Sequence, residues 1–125
     1  MTDSDYYEDD QYSITSLEWL RDRYKDKLSK FDYADYQDEV FLDTIVLKEQ
    51  HRGKGHGTSF MKDLCEYADN NKKAITLIPS NNLGTSVNIL EKFYHGFGFA
   101  YGKQSYDNHL MIREYRHKSG KPFIR

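Results

Sequence analysis

Apolar and polar positions change period several times along the chain, and each change marks an element. Leu17, Leu20, Tyr24 and Leu28 recur at helical spacing, with Arg21, Arg23, Lys25 and Asp26 on the other face. Thr15 followed by Glu18 reads as a capping box, so a helix is expected to start near Ser16. Residues 30–36 and 39–47 then read as a hairpin turning at Gln37-Asp38. The second strand holds Val40, Phe41, Leu42, Ile45, Val46 and Leu47, and so continuous an apolar run suits a strand covered on both faces. From about 58 to 70 helical spacing returns: Phe60, Met61, Leu64, Cys65 and Ala68 share a face, and Asn70-Asn71 ends the helix. Residues 74–78 form a short strand stopped by Pro79, and 81–85 a loop. A helix follows from 86 to about 95, with Gly96 as its stop. Residues 97–101 and 109–115 read as two closing strands around a polar loop. The order is α-β-β-α-β-α-β-β, without internal repeats. It predicts an α/β (α+β) fold with a mixed, mainly antiparallel central sheet flanked by helices.

Composition sets limits on this picture. A length of 125 residues fits one domain, and a hydrophobic share of 38% supports one modest core. Residues 1–12 are acidic and Tyr-rich and read as a flexible tail, or alternatively as a docking segment; residues 13–125 are the single domain. Asp3, Asp5, Glu8, Asp9 and Asp10 put −5 on the tail and leave about +3 on the remainder. A net charge of −2 argues against a nucleic-acid partner. The lone Cys65 allows no intrachain disulfide and suits a reducing compartment. No apolar run approaches the roughly 18–20 residues of a membrane span, and the acidic start is unlike a secretory signal. A soluble, cytoplasmic protein is expected.

The chemistry concentrates in Arg52-Gly53-Lys54-Gly55-His56-Gly57, between the apolar strand and the next helix. A helix start leaves N–H groups unsatisfied and carries partial positive charge. Several such groups aimed together make a phosphate site, and glycine lets the backbone come close. Arg52 and Lys54 add charge. A Walker loop is excluded because Gly55, not Ser or Thr, follows Lys54. The dinucleotide fingerprint fails because its third glycine would come at 58, not 57.

Arg52-x-x-Gly55-x-Gly57 resembles the Arg/Gln-x-x-Gly-x-Gly/Ala signature of the GNAT N-acetyltransferase superfamily. Ile45-Val46-Leu47 resembles the strand before that loop. Tyr94-x-x-x-Gly98-Phe99 is similar to the family's Leu-Tyr-x-x-x-Gly-Phe segment, and Met111-Ile112-Arg113 to its Met-Val-Arg ending. The resemblance spans residues 40–115 and is greatest to short bacteriophage-encoded members, whose cytoplasmic site would be that of the host.

The resemblance implies acetyl-CoA as co-substrate and no metal. Its diphosphate would sit on the amides of Arg52, Gly53, Lys54, Gly55, His56 and Gly57, with Thr58 close by. Its pantetheine arm would pair with the backbone near Ile45 and Leu47, and Leu47 and Ile78 would flank the thioester. A neutral primary amine (on a protein lysine, an N-terminus or a small molecule) would attack the thioester directly. Tyr94 stands where the family's tyrosine protonates the leaving thiolate; packing among Phe93, Phe97 and Phe99 is the alternative reading. A base must take the amine's proton, and Glu39 and Asp43 are the two candidates. The family's asparagine seven residues before the tyrosine is replaced by Val87, which leaves Asn88 or Ser86 for the pantetheine contact. Only one helix precedes the hairpin, so the N-terminal region that helps build an acceptor site is reduced.

Other residues read more plainly. His51 and His56 lack Cys, Asp or Glu partners at metal-ligand spacing and point to phosphate or solvent. His95 reads as a helix-end cation, Cys65 as core, and Trp19 as a core or interface anchor. Ser80 is a weaker cofactor candidate. Two other functions are compatible with the residues: a non-catalytic coenzyme A-binding or protein-binding module, including a phage inhibitor of a host protein, and an inhibitor acting through its acidic tail. Oligomeric state stays open, a dimer included.

Overall fold

The computed structural model describes residues 16–80, 85–102 and 110–116; the acidic tail and most of the 81–85 loop lie outside them. Helix α1 (Leu17–Tyr24) is capped by Ser16, whose hydroxyl accepts from the Trp19 N–H at 3.0 Å. The cap is therefore Ser16 where Thr15 was expected. Leu17, Leu20 and Tyr24 are buried as the periodicity requires. Leu28 is buried too, but as the first residue of strand β1 (Leu28–Asp35). Trp19 is not core. It is 41% exposed, with the Arg23 guanidinium over its ring.

Strand β1 turns at 36–38 into β2 (Glu39–Leu47), and the two pair antiparallel. Helix α2 (His56–Asn70) follows, then β3 (Ala74–Leu77), α3 (Val87–His95), β4 (Ala100–Tyr101) and β5 (Met111–Arg113). The order across the sheet is β1-β2-β3-β5-β4, with only β2 and β3 parallel. Both closing strands are shorter than the apolar pattern suggested.

Helices α1 and α2 share one face of the sheet. Phe60 of α2 meets the Tyr24 ring at 5.3 Å and the Phe31 ring at 5.0 Å, both edge to face. Each such aromatic pair adds about 0.5–1.5 kcal/mol beyond the apolar area it buries. At the far end, buried Arg113 donates twice to Asp69, at 2.8 and 3.2 Å, and once to the Phe97 carbonyl at 2.8 Å. This ties β5 to α2 and to the turn before β4.

Strand β2 corrects the expectation of cover on both faces. Val40 and Leu42 are buried, while Asp43 is exposed and Phe41 half-buried. The register then slips: Tyr33 faces Leu42 but Asp32 faces Thr44, leaving Asp43 as a bulged extra residue. Beyond it the inward positions become Ile45 and Leu47. A bulge bends its strand and re-aims side chains. Here it coincides with the end of β2–β3 pairing at Leu42↔Leu77. Residues 43–47 keep β1 on one side and part from β3 on the other, opening a split in the sheet.

Candidate active site

The glycine loop sits at one mouth of that split. A short turn at Glu49–His51 leads into it, and α2 starts at His56, two residues earlier than its apolar pattern suggests. Gly53 and Gly55 have φ of +75° and +85°, values that side-chain-bearing residues adopt at a cost of about 1–2 kcal/mol. Gly55 is the N-cap. The first helical bond runs from the Ser59 N–H to the Gly55 carbonyl at 3.0 Å. The amides of residues 53–58 therefore have no hydrogen-bond partner among the described residues. Six consecutive free donors at a helix start are what an anion site requires.

A trough of about 550 Å³ leads away from these amides. Arg52, Gly53, Gly55, Gly57 and Thr58 form its loop wall, Ile45 to Leu47 its strand wall, and Ile89, Leu90, Phe93 and Tyr94 its α3 wall. Of the α3 wall, sequence reasoning named Tyr94 and missed Ile89, Leu90 and Phe93 as lining residues. The signal was Ile89, an apolar residue left 61% exposed on an otherwise amphipathic helix. Lys54 and His56 belong to the loop but line neither this trough nor the cavity beyond it. Arg52 also turns its Nε–H back onto the Leu47 carbonyl at 3.1 Å.

The strand wall offers backbone groups. The Val46 carbonyl faces β1, where it accepts from the Ser29 hydroxyl at 3.3 Å. Backbone polar groups alternate along an antiparallel strand, so those of Ile45 and Leu47 face the split. An extended polar chain lying there can pair with them as a further strand would.

Past Tyr94 a second cavity of about 370 Å³ continues between the parted strands. Ile45, Val46, Thr85, Leu90 and Tyr94 line both spaces. Leu42, Asp43, Thr44, Leu77, Ile78 and Ser80 add the far walls. Tyr94 stands at the junction. Burial alone pushes its hydroxyl above the ordinary value of 10.0, so it stays protonated and can donate. Its ring packs on Phe93 at 5.3 Å and Phe99 at 5.6 Å. The proton-donor and packing readings of this residue are therefore compatible.

The two acidic candidates separate. Asp43 lines the second cavity from its bulge. Glu39 lies at the start of β2, beside Ala74, and accepts from the Thr76 hydroxyl at 2.6 Å; it lines neither cavity. Ser86 caps α3, its hydroxyl accepting from the Ile89 N–H at 3.2 Å. Ser86 and Asn88 are both absent from the cavity walls. Thr85 is the polar residue of that segment on both walls. The His95 Nδ1–H donates to the Phe99 carbonyl at 2.8 Å, and Cys65 is buried with its thiol pushed up to about 11 by desolvation. Among the described residues no three His, Cys, Asp or Glu side chains could hold a metal, and no helix is long and apolar enough to cross a membrane.

Comparison with known proteins agrees with this geometry. No curated protein matches the sequence. The anti-CRISPR protein AcrVA5 has a similar fold, with TM-score 0.56 and 23% identity over 66% of this chain and 85% of its own. A GNAT-family protein from Bacteroides thetaiotaomicron gives TM-score 0.54 at 18% identity, covering 86% of this chain and 74% of its own. The PaiA N-acetyltransferase of Thermoplasma acidophilum, solved with coenzyme A, gives 0.53 at 12% identity, covering 79% and 69%. A family model described as acetyltransferase (GNAT) matches residues 14–99, a span that holds the split strand, the free-amide loop and Tyr94. The chain therefore belongs to the GNAT acetyltransferase family, whose co-substrate is acetyl-CoA.

Proposed function

We propose that this protein is an N-acetyltransferase that moves the acetyl group of acetyl-CoA onto a primary amine by direct attack. The observation that carries the reading is the run of two adjoining cavities. Free amides lie at one end, an open strand edge and a protonated tyrosine along the middle, and a carboxylate at the other.

The residues present fit the co-substrate. The amides of 53–58 and the charge of Arg52 would hold the diphosphate, and the Ile45 and Leu47 backbone would hold the arm. Bound acetyl-CoA supplies an activated acyl carbon, to which the amine nitrogen bonds as the C–S bond breaks. Asp43 takes the proton the amine must lose, directly or through a water. A β2 backbone N–H facing the split steadies the negative charge on the carbonyl oxygen. The Tyr94 hydroxyl gives its proton to the departing sulfur. Leu77, Ile78 and Leu90 line that end beside the polar Lys30, Asp43, Thr44 and Ser80. We place the reaction in the cytoplasm, where the single buried cysteine stays reduced.

The acceptor is a protein lysine, an N-terminus or a small amine. The likeness in fold to an anti-CRISPR protein puts a protein acceptor in the test panel. Thiol release from acetyl-CoA, followed with lysine peptides, free-N-terminus peptides and polyamines, should show turnover with at least one class. Mass spectrometry should place 42 Da, about one acetyl group, on that acceptor, and Tyr94→Phe should slow release about 100-fold, within the range of acid–base catalysis. Tight acetyl-CoA binding with no release across the panel would favour the non-catalytic module instead.

A further inference from the structure

The loop also carries positive charge that the trough does not use. His51 and His56 pack edge to face, ring centroids 5.4 Å apart. Both are half-buried, and neither lines a cavity. The turn between α1 and β1 is drawn up to the entry of the loop, because the Lys48 N–H donates to the Lys27 carbonyl at 2.8 Å. The His56 imidazole is held below its ordinary value by desolvation first, then by Lys27, His51 and Lys54. Among the described residues, the charged and titratable groups that shift it are these three, from the α1–β1 turn, the short turn and the loop; Glu49 of the same short turn is not one of them. Folding thus gathers like charges beside a helix start that is itself positive. An anion relieves that repulsion.

We propose that Lys27, His51, Lys54 and His56 form a phosphate-monoester subsite that reads the ribose 3′-phosphate of coenzyme A. The proposal rests on the trough being the coenzyme A site, and deepens that reading. The diphosphate would be held by the free amides and Arg52. The monoester stands a ribose away and carries nearly two charges near neutral pH. The four side chains offer it charge-assisted N–H···O bonds. A bound dianion favours the protonated imidazole, so the monoester's contribution grows as pH falls from about 8 to about 6.5. Below about pH 6 the phosphate itself takes a proton, and the gain stops.

The test is calorimetric titration with acetyl-CoA and with its 3′-dephospho analogue. The unsubstituted protein should bind acetyl-CoA about tenfold tighter at low salt, the size expected of one or two charge-assisted bonds. That ratio should rise as pH is lowered from 8 to 6.5. Lys27→Ala/His51→Asn should bring it below about threefold by weakening acetyl-CoA and sparing the analogue. A thermal melt checks that the double variant folds. Equal affinity of the two ligands for the unsubstituted protein would overturn the proposal. So would equal weakening of both ligands in the double variant, which would put these charges on the diphosphate. If neither ligand binds, the coenzyme A reading itself fails and the subsite with it.

Discussion

Gly55 and Gly57 stand two residues apart in the loop, and the structure makes opposite demands on them. Gly55 caps α2 at φ +85°, and a methyl added to it would meet nothing within 4 Å. The penalty of Gly55→Ala is therefore conformational, not steric: about 1–2 kcal/mol for a left-handed non-glycine residue. For a chain of this size that lowers Tm by about 4–8 °C. A turn that relaxes to escape the strain swings the 53–56 amides out of convergence. Losing even one charge-assisted donor weakens anion binding about tenfold or more. Gly57 lies inside the first turn of α2 without positive φ. A methyl there would meet Leu47 Cδ1 at 3.7 Å and Phe93 Cζ at 3.9 Å, ordinary contacts. Alanine favours helix over glycine by up to about 1 kcal/mol. Gly57→Ala should keep or raise Tm and hold acetyl-CoA affinity within about threefold. Thermal melts and calorimetry on the two variants decide the matter. If Gly57→Ala loses as much stability and affinity as Gly55→Ala, the loop acts by small size and not by its backbone conformation, and the reasoning is wrong.

Three further outcomes can be checked. Asp43→Asn should lower kcat/KM about 100-fold or more, while Glu39→Gln, engaged with Thr76 away from the cavities, should change it less than about threefold; the reverse ranking would move the base to Glu39. Tyr94 titrates above its ordinary 10.0 because it is buried. A proton donor works only while protonated, so kcat should show no loss from this group until pH rises past 10, and a Tyr94-dependent fall near pH 8 would contradict the assignment. Arg113→Met leaves the Asp69 carboxylate without its bidentate partner and should cost about 3–5 kcal/mol, read as a Tm drop of more than about 10 °C. Arg113→Met/Asp69→Leu should recover part of that loss, and no recovery would mean that the arginine acts by packing alone.

Much of the fold was legible because the apolar period speaks directly to which face is buried. Phe60, Met61, Leu64, Cys65 and Ala68 are buried together on α2, and β2 begins and ends where its apolar run does. The bulge was also written in the chain. Val40 and Leu42 are even-numbered, Ile45 and Leu47 odd-numbered, and one strand face cannot hold both sets without an extra residue. Reading the run as continuous hid that slip, and with it the reason for the split. Leu28 fits a helical repeat and a strand equally well, so only tertiary pairing with Leu47 decides it. The choice between Asp43 and Glu39 depends on which end of β2 parts from β3, a long-range fact no local pattern carries. Thr85 and Ile89 escaped notice for the same reason. Lys27 joined the loop only once the hydrogen bond of Lys48 to its carbonyl was known.

In the proposed reaction, main-chain N–H groups grip a diphosphate where the loop becomes α2. Titration of the ¹⁵N-labelled protein with coenzyme A, followed by NMR, observes those groups directly. The largest amide shifts should fall on Gly53, Lys54, Gly55, His56, Gly57 and Thr58, with smaller ones along Ile45 to Leu47. Shifts that spare residues 53–58, or none at saturating ligand, would contradict that grip.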